Sequence, residues 1–207
     1  MFAGKTHIPV SHGRLEAIYR PSCDDAERVA LVLHPHPLYG GNMHHPVVFH
    51  CARALEEAGF ETLRINFRGV GESTGEWDPG RGEFDDAASG LDFLLAAQPA
   101  AREVIVAGFS FGAAVGLRLA CSHTRVTFAI AIATPVRLLD LAFLASCAKP
   151  KLFVHGSGDE IAPLAPLRAV LAKAAPPTDL RVVDGAGHFF ESNRESLGAS
   201  IRSWVEE

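Results

Sequence analysis

The chain has little of what carries a protein out of water or onto nucleic acid. No apolar run approaches the roughly 20 residues of a membrane span, and the opening Met1-Phe2-Ala3-Gly4-Lys5-Thr6-His7 lacks the long apolar stretch of a secretory leader. Positive charge is short as well. Lys and Arg number 19 against 24 Asp and Glu, a formal net charge of −5, which leaves no basic field for a phosphate backbone or an anionic membrane. The four cysteines (Cys23, Cys51, Cys121, Cys147) are scattered, with no C-x-x-C pair. They are expected to be small buried hydrophobes in a reducing compartment, which makes a cytoplasmic protein the default. There is no internal repeat, linker or low-complexity tract, and 207 residues suffice for one buried core. A single domain over 1–207 is expected.

What the chain does have is a pentapeptide, Gly108-Phe109-Ser110-Phe111-Gly112. The β-rich run Glu103-Val104-Ile105-Val106-Ala107 precedes it, and the small apolar run Ala113-Ala114-Val115-Gly116-Leu117 follows at helical spacing. Strand, G-x-S-x-G, then helix is the context of a nucleophile elbow. The serine must occupy a strained backbone conformation, and the residues two positions either side are pressed together, so a Cβ at either glycine would clash. The turn lifts Oγ above the sheet and aims the unpartnered first amides of the helix at whatever Oγ attacks. A small-residue turn that merely packs helix on strand is the plainer reading, which the flanking elements disfavour.

Around it, strands and helices alternate. A hairpin is expected around Ser11-His12-Gly13 and a fully covered strand over 29–33. The loop His34-Pro35-His36-Pro37-Leu38-Tyr39-Gly40-Gly41-Asn42 follows, with Asn42 expected to cap a helix running to about 58. Further strands are expected over 60–67, 126–133, 151–156 and 180–183. Helices are expected over 83–96, 164–174 and 192–205, with one small helix within 138–145. The fold class is therefore α/β, a mainly parallel central sheet with helices on both faces.

A nucleophilic serine needs a base, and the base an orienting acid. In an open parallel sheet such groups gather beyond the carboxyl ends of strands. Asp159 lies just past the strand 151–156 and His188 past 180–183. Asp184, Glu160 and Asp140 are rival acids, Asp140 being the fallback. His155 sits within an apolar strand as a core residue. His34, His36, His44, His45 and His50 are dense, but no acid or cysteine accompanies them at ligand spacing, so no metal and no cofactor is expected. Gly69-Val70-Gly71-Glu72-Ser73 lacks the Lys-Ser/Thr ending of a phosphate loop and reads as a structural turn, whose position could still put Asn66 or Arg68 near the pocket.

The order Ser110, Asp159, His188, each after its own strand, resembles the α/β-hydrolase superfamily over nearly the whole chain. His34-Pro35-His36-Pro37 with Gly40-Gly41-Asn42-Met43, and Asn66-Phe67-Arg68, resemble a group of small lidless bacterial serine hydrolases described as esterase-like. The resemblance implies Ser110 as nucleophile, His188 as general base then acid, and Asp159 as orienter. The elbow makes the backbone N–H of Phe111 one oxyanion donor. Pro35 and Pro37 have no N–H, so the second comes from His36, Leu38 or Tyr39, of which the resemblance selects His36. About sixteen residues separate the strands ending near 133 and starting at 151, too few for a cap domain. Tyr39, Phe109, Leu138 and Phe189, with Phe111, are candidates to line an open apolar cleft. The function expected is hydrolysis of small carboxylic esters. The alternatives are a thioesterase or peptidase using the same groups, or a non-catalytic binding protein on this fold. The partner is a small-molecule ester rather than nucleic acid or membrane.

Overall fold

The run Val29-Ala30-Leu31-Val32-Leu33 has no polar side to offer water, so it is stable only where both its faces are covered. In a computed structural model, which describes residues 4–21, 26–136 and 140–207, it forms β3 (Arg28–Leu33) near the middle of an eight-stranded sheet. Its side chains divide by the two-residue period of a strand. Val29, Leu31 and Leu33 enter one apolar cluster, and Ala30 and Val32 the other.

The strands are β1 (Gly4–Val10), β2 (Gly13–Arg20), β3, β4 (Glu61–Ile65), β5 (Glu103–Phe109), β6 (Phe128–Ile132), β7 (Lys151–Gly156) and β8 (Thr178–Val183). Their order is β1-β2-β4-β3-β5-β6-β7-β8, parallel from β4 to β8, with β1 and β2 antiparallel at one edge. The first cluster packs beneath α2 (Arg81–Ala97), α3 (Phe111–Ser122) and α4 (Leu164–Leu171). The second packs beneath α1 (Pro46–Glu57) and α5 (Arg194–Val205). The crossovers thus cover both faces and bring every parallel strand's carboxyl end to one rim.

Two expectations fail for physical reasons. The helix after β3 starts at Pro46, not at Asn42. Proline's fixed φ suits the first helical position, and His45 caps it, its Nδ1 accepting the Val47 N–H at 3.3 Å. Asn42 instead folds onto its own loop, Oδ1 accepting the His44 N–H at 2.9 Å. The cysteines are not all free hydrophobes. Cys121, near the end of α3, is disulfide-bonded to Cys147, which follows a 3-10 turn at Ala142–Ser146. A contact across 26 residues leaves no local pattern in the sequence, and nothing in the C-x-x-C test could have found it. Cys51 is a buried free thiol pushed up to about 12 by burial, whereas Cys23 lies outside the described residues. Between β6 and β7 the described residues hold only that 3-10 turn, so none of them forms a lid over the rim above β5.

Candidate active site

Chain passing straight from β5 into α3 has no loop in which to spread the change of direction. Ser110 absorbs it, at φ 53° and ψ −116°, a conformation that costs an ordinary residue of order 1–3 kcal/mol. Packing enforces the cost. A Cβ on Gly108 would lie 2.2 Å from the Gly112 carbonyl oxygen, and one on Gly112 would lie 2.4 Å from that of His34. Both positions therefore demand glycine, and the end of β3 is pressed against the start of α3. Ser110 donates its N–H to Ile132 O at 2.8 Å, and its Oγ faces the rim.

The loops after β7 and β8 are likewise locked together. A Cβ on Gly156 would strike Ala186 O at 2.2 Å, and Gly158 N–H donates to the same oxygen at 3.0 Å. That contact brings Asp159 to His188. The His188 Nδ1 lies 2.8 Å from Asp159 Oδ2 and its Nε2 lies 3.1 Å from Ser110 Oγ. The carboxylate accepts a hydrogen bond from Nδ1–H, which leaves the Nε2 lone pair to accept from the serine hydroxyl; the tautomer follows from this network. Asp159 Oδ1 accepts the Ala162 N–H at 2.7 Å, fixing the carboxylate plane. All three side chains are largely buried, Ser110 being 9% exposed.

The rival acids are turned elsewhere. Asp184 accepts from the Ser157 hydroxyl at 3.0 Å, Glu160 is exposed, and Asp140 accepts the Ala142 N–H at 2.9 Å. His155 is a core residue, Nε2–H donating to Ala162 O at 2.5 Å, and burial lowers its pKa. It therefore stays neutral 3.7 Å from Asp159 Oδ2. Among the described residues His188 is the one titratable partner within hydrogen-bond distance of Asp159.

The loop after β3 sorts its own amides. Tyr39 N–H and Gly41 N–H both donate to His36 O at 3.1 Å, and Leu38 N–H to His36 Nδ1 at 3.2 Å. Among the described residues His36 N–H has no acceptor, so of the three amides considered it is the free one. Phe111 N–H, at the first position of α3, likewise has no intrahelical acceptor. His34 holds the loop's root. Its Nδ1–H donates to Pro35 O at 2.7 Å and its Nε2 accepts Phe67 N–H at 3.0 Å, while burial pushes its pKa down to about 4.

Rings surround these three residues on two sides. The His36 ring meets Tyr39 (4.7 Å between centroids), Trp77 (4.5 Å) and Phe111 (5.1 Å). Phe109 meets His188 at 5.2 Å and His45 at 5.0 Å, and Phe189 meets His188 at 5.1 Å. Tyr39 and Phe189 are exposed, at 87% and 41%, and form open walls. Phe109 is fully buried and supports the His188 ring from behind instead of lining the cleft. Leu138 lies outside the described residues. Trp77 escaped sequence reasoning, since it carries no motif, and His45, read only as one of a dense histidine run, is brought beside Phe109 and Phe189 by loop geometry alone.

Asn66 and Arg68 are structural. Asn66 bridges Met43 N–H and Glu16, and Arg68 chelates Asp86. Among the described residues no three His, Cys, Asp or Glu side chains converge as a metal site, and no helix is long and apolar enough to cross a membrane.

A strained serine between strand and helix, with a carboxylate after β7 and a histidine after β8 brought to it, belongs to a family that comparison identifies. Residues 31–146 match the model of the alpha/beta hydrolase fold, and the chain belongs to that family and is a hydrolase. It is 35% identical over 201 residues to an uncharacterised protein of Rickettsia prowazekii, covering 93% of this chain and 84% of that one. Among solved structures it is similar to an alpha-beta serine hydrolase homologue from Coxiella burnetii (34% identity, TM-score 0.93, 99% and 98% of the two chains covered). It is also similar to a serine hydrolase without lid from Xanthomonas campestris (32%, TM-score 0.89, 99% and 94%).

Proposed function

We propose that the chain hydrolyses small carboxylic esters through an acyl-enzyme on Ser110. The observation that carries this reading is the continuous line from Ser110 Oγ through His188 to Asp159, at 3.1 and 2.8 Å. Oγ attacks the ester carbonyl carbon while Nε2 of His188 takes its proton, and the imidazolium so formed is stabilised and oriented by Asp159. The carbonyl oxygen becomes an oxyanion held by the N–H groups of Phe111 and His36. Losing one such donor typically costs about 10²–10³ in turnover. His188 then gives its proton to the departing alkoxide, the C–O bond breaks, and the acyl group stays on Ser110. Water, deprotonated by the same Nε2, repeats the attack and releases the acid.

The uncovered mouth and the short walls formed by Tyr39, Trp77 and Phe189 suit small acyl and alcohol groups, since a long chain needs a deep tunnel to bury it. The partner is thus a small-molecule ester, and a net charge of −5 favours neither nucleic acid nor anionic membrane. A fluorophosphonate probe tests the mechanism. Native protein should be labelled, and Ser110→Ala and heat-denatured protein should not. Absence of labelling in folded wild type sinks the mechanism. Ester, thioester and aminoacyl reporters assayed side by side then decide the bond, the ester being turned over fastest.

A further inference from the structure

Arg64 is an uncomfortable residue in the middle of β4. It lies on the face covered by α1 and is 5% exposed, yet a guanidinium does not give up its proton. A buried charge needs a partner of opposite sign or a full set of hydrogen bonds. Arg64 has neither. One Nη1–H donates to Met43 O at 3.0 Å, while Nε is buried with no hydrogen-bond partner. Phe49 offers only its ring, 5.6 Å from the guanidinium carbon. Among the described residues neither Arg64 nor Arg20 forms an ion pair, and Arg53 is held by Glu57 at 2.8 Å. The acid that Arg64 feels most is Glu56, whose Oε1 is already engaged by the Thr62 hydroxyl at 2.6 Å.

These groups are not simply packed together. Arg20, Phe49, Ala52, Arg53, Glu56 and Arg64 line a cavity of about 460 Å³, within the size range of small-ligand sites. Even with Arg53 paired to Glu57 outside the lining, Arg20 and Arg64 against Glu56 leave the cavity positive on a chain of net charge −5. None of the six belongs to the group around Ser110.

We propose that this cavity binds a small oxyanion, a ligand bearing a phosphate or carboxylate group, with Arg64 as its floor and Arg20 and Arg53 as its walls. The planar fork of a guanidinium matches the paired oxygens of either group. The Nη2 of Arg64, unbonded and not shut off from water as Nε is, supplies a donor that the fold itself leaves unused. The Phe49 ring covers the carbon part of the ligand, and Glu56 accepts from a hydroxyl beside its anionic group.

Inorganic phosphate and citrate serve as probes, each titrated against sodium chloride of equal ionic strength so that general screening is subtracted. Thermal stability should rise saturably with either probe, as it does for any ligand confined to the folded state. Calorimetry should give one site per chain. Arg20→Ala, an exposed change at the end of β2, should weaken binding by roughly tenfold, and Arg64→Met should abolish it. In the wild type the Arg64 Nε–H resonance should move on titration. A shift no larger than that from sodium chloride overturns the proposal, and so does Arg20→Ala protein that binds as the wild type does. Should Arg64→Met fail to fold, Arg20→Ala and the Nε–H resonance decide.

Discussion

At the scale of single residues, the site depends on which proton sits where. Asp159 holds the His188 proton on Nδ1, and only then does Nε2 face Ser110 with a lone pair. Asp159→Asn presents an amide that favours the other tautomer, so kcat should fall by about 10⁴ while the fold persists. Ester assays with circular dichroism on both proteins check this, and a loss below tenfold would assign the orienting role to another group. His34 makes a different prediction. Its folded pKa of about 4 lies below its ordinary 6.5 because burial disfavours the cation. The unfolded chain therefore binds the extra proton between those values, and stability is fully present above pH 6.5 and lost as pH falls towards 4. The loss should reach about 2–3 kcal/mol from this residue. Urea denaturation from pH 7 to 4 measures it. Glu16 extends the decline further down. Burial pushes its carboxyl up, but hydrogen bonds from Glu72 N–H, Lys5 and Asn66 outweigh that and hold it at about 2. Stability gained there is lost only as pH falls from 4.5 towards 2.

At the scale of elements, the elbow is a collision avoided. The 2.4 Å between a Cβ on Gly112 and His34 O involves backbone on both sides, and neither β3 nor α3 can retreat without leaving the core. Gly112→Ala should therefore abolish fluorophosphonate labelling and lower the melting temperature together, whereas Ser110→Ala should abolish labelling alone. Labelling of Gly112→Ala at wild-type rate would show that the contact is soft. The disulfide ties the end of α3, the helix that begins at the elbow, to the connection before β7. Closing a loop of 26 residues constrains the unfolded chain by about 3–4 kcal/mol in the entropic account. Reduction should then lower the melting temperature by on the order of 10 °C. Calorimetry with and without a phosphine reductant tests it, and an unchanged transition would place the stabilisation elsewhere.

At the scale of the whole molecule, most of the architecture was legible because parallel strands buried on both faces read as unbroken apolar runs. β3 and β5 are nearly as their sequence suggests. Ser110, Asp159 and His188 were legible for a related reason: each follows a strand, and the topology sends every such end to one rim. The remainder is non-local. Pro46 decides where α1 begins through its own φ, overriding the cap that Asn42 suggests. Cys121 and Cys147 meet across 26 residues with no spacing to announce it. The strand expected over 60–67 forms as β4, yet every residue of it is buried, and only the fold reveals that its arginine is largely cut off from water. Trp77 carries no pattern at all, and the histidine run that includes His45 says nothing of where its rings go.

That no described residue between β6 and β7 covers the rim has a consequence for chemical choice. On the ester-hydrolase reading, Ser110 carries its acyl group at an uncovered rim, so the bulk solution and not the protein decides which nucleophile arrives next. Water prevails by abundance alone. Added methanol should divert part of the acyl group into methyl ester in proportion to its concentration, with total turnover of the starting ester maintained or raised. Product analysis by chromatography reads the ratio, and strict hydrolysis in the presence of methanol would mean that the rim selects its acceptor after all. On that reading, an enzyme open on one side is a carrier of acyl groups as much as a destroyer of esters.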